Sequence, residues 1–183
     1  YITMITGDEL LRVKYPGILN SYKILIDPVV HLTIGLIVIF PLLMQRQKFS
    51  GLIILCGLTT LAAVLIDFDH VVAAGSFALS AMTHIGYRPQ THSLFFALLA
   101  GCVTWGVTRR FQYGWLVCVV LISHVIRDAS VGGTPYLLWP IELDTVSVSA
   151  YHAIELLIYF ATNLLVFWEQ QVQTSLKIVL AQS

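Results

Sequence analysis

Charge in this chain gathers at the ends of apolar runs and in the breaks between them, and that single pattern limits the folds open to it. Five runs, 29–44, 51–66, 91–108, 113–128 and 150–168, are almost free of ionisable groups. The breaks hold Gln45-Arg46-Gln47-Lys48, Asp67-Phe68-Asp69-His70, Arg109-Arg110 and the turn-forming Gly132-Gly133-Thr134-Pro135. A soluble domain of ordinary composition has about 25% charged residues to clothe its surface. Here only 11% are charged and 57% are hydrophobic, so a water-facing exterior cannot be built. The expected fold is all-α: a polytopic membrane helical bundle of about five transmembrane helices plus short interfacial helices.

Around the bundle the sequence divides into residues 1–27, an N-terminal interfacial segment, residues 28–168, the embedded domain, and a polar or interfacial helical tail, 169–183. Thr6 and Glu9 have capping-box spacing and predict a short helix ending near Pro16. Residues 1–27 carry Asp8, Glu9, Arg12, Lys14 and Lys23 without an apolar core, so no signal peptide is expected there. Asp27-Pro28 reads as an N-cap followed by proline at the first helical position. Residues 71–90 read as a short helix and loop on the end of the bundle. The net charge of zero and the lack of a basic stripe point away from nucleic acid. Cys56, Cys102 and Cys118 sit in apolar runs without CxxC spacing and read as small buried hydrophobes.

Antiparallel spans sort their ends onto two sides. Arg46, Lys48, Arg109, Arg110 and Lys177 fall on one side, which the positive-inside rule makes cytoplasmic. All six histidines arrive at the other: His31, His70, His84, His92, His124 and His152. Charged groups at membrane depth are costly and usually mark function, so this layer is where chemistry is expected. His124 and Asp128, spaced i, i+4, project from one helical face, and Asp67 and His70, spaced i, i+3, do likewise. His31 and His92 add nitrogen donors from two further helices. Mixed imidazole and carboxylate ligands suit zinc, with manganese or iron as alternatives, and the donors suffice for one or two divalent ions.

The expected metal ligands are therefore His31, Asp67, His70, His92, His124 and Asp128, with Asp69 as a further ligand or a general base. Arg88, four residues before His92, is the expected clamp for an anionic group, and Thr91 and Ser93 hydrogen-bond behind the ligands. Asp69, Arg88 and Ser93 are the catalytic candidates on this reading. His152 and Glu155 could orient other groups, and the tryptophans at 105, 115, 139 and 168 read as interface anchors.

The ordered motifs Asp67-Phe68-Asp69-His70, Arg88-Pro89-Gln90-Thr91-His92-Ser93-Leu94, His124 with Asp128, and Gly133-Thr134-Pro135 through Leu137-Leu138-Trp139-Pro140 resemble the YdjM-type family. The resemblance runs from about His31 to Pro140. It implies a bacterial inner-membrane protein of a LexA-regulated group described as metal-dependent hydrolases. By matching position, His31, Asp67, Asp69, His70, Arg88, His92, His124 and Asp128 inherit the site. The family often has histidine before the arginine and glycine after it, where this chain has Tyr87 and Pro89; His84 would be the replacement histidine. A site at the mouth of an embedded bundle implies membrane lipid as partner and a lipid-like, ester or phosphorylated substrate. Two other readings compete with a hydrolase. One is a non-catalytic membrane subunit with a structural metal; the other is a haem carrier using histidine pairs, which the accompanying carboxylates disfavour.

Overall fold

The structure, a computed structural model, describes residues 20–45, 49–78, 89–131, 137–138 and 146–182. Every element among them is helical. We number the helices α1 (Asn20–Val38), α2 (Phe40–Met44), α3 (Phe49–Val64), α4 (Phe68–Ala74), α5 (Leu94–Thr108), α6 (Phe111–Val131) and α7 (Val148–Gln182), with a 3₁₀ turn at Leu65–Asp67. Three rods are long and apolar enough to cross a membrane: Phe49–Ala74, Phe111–Val131 and Val148–Ala181. Two shorter apolar helices, Ile26–Val38 and Leu94–Thr108, accompany them. The fold is an all-α membrane bundle.

Several boundaries differ from the sequence expectation, each for a local reason. Asp27-Pro28 does not start a helix, because α1 begins at Asn20 and runs through Pro28. The Asp27 carboxylate accepts a hydrogen bond from Arg127 Nη1 at 2.7 Å instead of capping. The first run breaks at Ile39, with Pro41 in the first turn of α2; an unbroken helix would drive that ring into the preceding turn. The second run does not stop at Ile66. It tightens into the 3₁₀ turn, resumes as α4, and ends at Gly75, whose φ of 59° is the left-handed cap glycine readily adopts. The third helix starts at Leu94 rather than 91 because the Ser93 hydroxyl accepts from Phe96 N–H, an N-cap. The final helix continues unbroken to Gln182. The Thr6–Pro16 helix, His84, Arg88, Trp139 and most of the 134–149 loop lie outside the described residues.

Helix α6 is the axis of the assembly. Leu116, Val119, Val120 and Val125 on it join Ile34, Leu42, Leu55 and Ala63 in one core. Against α5 it packs backbone to backbone. A Cβ at Gly101 would lie 2.9 Å from the Gly114 carbonyl oxygen, and one at Gly114 would lie 2.6 Å from the Trp105 Cβ. Small residues at such crossings let helices meet where apolar surroundings supply no hydrophobic drive. The outside is the reverse of a soluble protein's, with Phe49, Val107, Leu157 and Leu164 exposed.

Candidate metal centre

Four chain segments converge at the end of the bundle where α6 finishes. The 3₁₀ turn brings Asp67, the start of α4 brings Asp69 and His70, the N-cap loop of α5 brings Thr91 and His92, and the last turns of α6 bring His124 and Asp128. His92, His124 and Asp128 are buried, while Asp67 keeps 32% of its side chain exposed.

The donor atoms of Asp67, His92, His124 and Asp128 lie within 4.8 Å of one another. His92 Nε2 and His124 Nε2 each stand 3.3 Å from Asp67 Oδ1 and 3.6 Å from Asp128 Oδ2. A tetrahedron of ligands at roughly 2.0–2.1 Å from a cation has edges of about 3.3–3.4 Å. The spacing therefore fits one ion at the centre of these four atoms.

The outer ring nitrogens support the same assignment. His124 Nδ1 is 2.9 Å from the Ala63 carbonyl oxygen, so it carries the proton and donates. His124 Nε2 is then left with its lone pair and, though buried, has no hydrogen-bond partner among the described residues. His92 Nδ1 is 3.0 Å from Asp69 Oδ2, which also accepts from the Thr91 hydroxyl. Both histidines are thus tied through one nitrogen and aimed through the other, as metal-binding histidines commonly are.

A second group, Asp69, His70 and His92, also lies within 4.8 Å. It shares His92 with the first, and the Asp69 contact is to the opposite nitrogen, Nδ1. One neutral imidazole offers one lone pair, so the two groups compete for His92 and the geometry favours a single ion. In that arrangement Asp69 orients His92, and His70 sits beside them with its ring 5.1 Å from that of His92.

His31 stands next to the four donors. Its ring stacks on His124 at 3.6 Å between centroids and 12° between planes. Its Nε2 is 3.2 Å from Asp128 Oδ1 and 2.8 Å from Arg127 Nη1. A guanidinium only donates, so Nε2 must accept from Arg127, and its lone pair is directed there. Asp128 Oδ1 lies beside the His31 ring, and its Oδ2 faces His92 and His124. Glu155 and His152 are outside the four-donor set, and Glu155 accepts from the Ser123 hydroxyl at 2.9 Å. Arg127 is the partner that sequence reasoning missed: it is buried, and it joins Asp27 to His31. The available signal was an arginine inside an apolar run, which must find a counter-charge at membrane depth.

The molecule is thus an α-helical membrane protein whose spans gather a buried His/Asp cluster able to hold a metal ion. Residues 26–182 match the family model described as YdjM inner membrane protein, and the chain belongs to that family. No curated protein and no solved structure matches it.

Proposed function

We propose that this chain is a membrane-bound, metal-dependent hydrolase acting on an ester or phosphoester of an amphipathic, lipid-like substrate. The observation that carries the reading is the set of four converging donors whose two imidazoles are each oriented from behind. Asp67, His92, His124 and Asp128 would hold one divalent ion, zinc by donor type, with manganese or iron as alternatives. Such an ion supplies Lewis acidity and lowers the pKa of a water it carries.

The chain's own groups supply the rest. Asp69 uses Oδ2 to fix His92, while its Oδ1 makes no hydrogen bond among the described residues and can take up a proton. His70 Nε2, 3.8 Å from that oxygen, is placed to pass the proton outward. Arg88 is assigned to an anionic group of the substrate on sequence grounds. Ser93, as the N-cap of α5, holds the His92 loop in place. The partly exposed Asp67 marks the open edge through which a substrate reaches the site. The location at the end of apolar helices favours a substrate with an acyl tail, in a bacterial inner membrane and reached from the side opposite the positive loops.

One observation favours a second reading. Four protein donors close a tetrahedron, and closed sites are typical of structural metals, whereas catalytic ones keep a position open. The alternative is a non-catalytic membrane subunit that holds its metal for assembly. Elemental analysis of purified protein, followed by turnover on a panel of ester and phosphoester lipids, separates the two. Metal that disappears in His92→Ala and His124→Ala, together with metal-dependent turnover, is the expected result. Metal without turnover selects the subunit, and no bound metal defeats both.

A further inference from the structure

At the other end of the bundle, α2, α6 and α7 border an open cavity of about 810 Å³. Its polar lining includes Gln45, Arg110, Gln112, Glu169, Gln173 and Lys177. Along α6 the cavity residue Gln112 and the ligand His124 are twelve positions apart, about 18 Å. The cavity is therefore separate from the metal centre, and its role does not depend on the hydrolase proposal.

We infer that this cavity is a binding site for the phosphate headgroup of an anionic membrane phospholipid. Three features support the inference. First, the lining is cationic on balance: among the described residues Arg110 and Lys177 are positive and only Glu169 is negative. The Glu169 carboxylate is also engaged, accepting from Gln112 Nε2, whose donor side is shared with Gln45 Oε1 at 3.5 Å. One surplus positive charge complements a phosphodiester's single negative charge, and it disfavours a headgroup that brings its own ammonium. Second, Phe111 and Gln112 open α6, a helix of 21 residues, so its electropositive end faces the cavity. Arg110 rests 5.7 Å over the Tyr113 ring, which keeps its guanidinium at this end and leaves its planar fork for phosphate oxygens.

The third feature selects a lipid as the source of the phosphate. Trp105, Phe111 and Trp115 form a run of ring contacts at 5.7 and 6.3 Å at this end. Aromatic clusters of this kind mark the headgroup level of a bilayer. On the bilayer-centre side of Glu169, the side chains of Leu164, Phe167 and Trp168 are exposed on α7 and form an apolar flank for acyl chains. Basic pockets between membrane helices on the positively charged side are established headgroup sites in general.

The test uses the whole chain, purified in detergent and offered equal amounts of phosphatidylglycerol and phosphatidylcholine, with retained lipid counted by native mass spectrometry. Wild-type protein should retain the anionic lipid preferentially. Arg110→Gln with Lys177→Gln should reduce that retention about fivefold for each charge removed. Gln173→Glu adds a negative charge while leaving both cations, and it should weaken retention as well. Monodispersity and melting temperature identify which variants are folded. No preference in the wild type, or undiminished preference in either folded variant, overturns the site. A third arm adds glycerophosphate, the headgroup chemistry without tails: displacement of the lipid at equal concentration would overturn the lipid source in favour of a soluble phosphate ester.

Discussion

Helices α6 and α7 are both long and apolar enough to span a membrane, yet 72% of the α6 window is buried inside the protein against 22% for α7. Chemistry follows that difference. His124, Arg127 and Asp128 all sit on α6, enclosed by α1, α3 and the loop before α5. None of the four converging donors comes from α7, which turns Leu157, Leu164 and Trp168 outward. A helix surrounded by protein can carry ionisable groups because neighbours neutralise and hydrogen-bond them. A helix facing acyl chains has no such neighbours.

The contrast can be broken most sharply at His124. His124→Ala should abolish bound metal, read by elemental analysis; full retention would mean that α6 does not hold the centre. Next in size is the α5–α6 contact. Gly114→Val places a branched side chain against Trp105 and should cost about 3 kcal/mol, measured by unfolding in detergent. Asp69→Ala leaves the donors intact but frees the His92 ring, and metal affinity should fall roughly 10–100-fold in a competition titration with a chelator. Asp27→Asn removes the countercharge of buried Arg127. Because the Asp27 side chain is 43% exposed, the destabilisation should be only about 1 kcal/mol. On α7, Leu164→Ala should leave the melting temperature and metal content almost unchanged, within about 0.5 kcal/mol. A large effect there would reveal a partner covering the outer face.

How much of this was legible in the sequence depended on whether local periodicity sufficed. The pairing of His124 with Asp128 follows directly from helical spacing, and the structure keeps both on one face of α6. The bundle itself was readable because charge is sparse in the runs and gathers at their ends. That Asp69 sits behind His92 while Asp67 joins the donors was not readable. The two aspartates are two residues apart, and the 3₁₀ turn at Leu65–Asp67 resets the angular register just before them, sending Asp67 to the donors and Asp69 behind His92. The Arg127–Asp27 pair was hidden by a local signal: Asp27-Pro28 has the form of a helix start, and only tertiary packing shows that the carboxylate is used elsewhere. His31 lay at the expected depth, but the guanidinium that occupies its Nε2 is 96 positions away in the chain.

The carbonyl that fixes His124 belongs to Ala63, in the last turn of α3, where a helix leaves its final oxygens without internal partners. Since that acceptor is main chain, no exchange of one amino acid for another at position 63 can delete it. The imidazole's aim is insured against ordinary genetic drift and vulnerable only to changes that redirect the main chain of the rod. A proline or an insertion between 63 and 67 would therefore be more damaging than its distance from the ligands suggests.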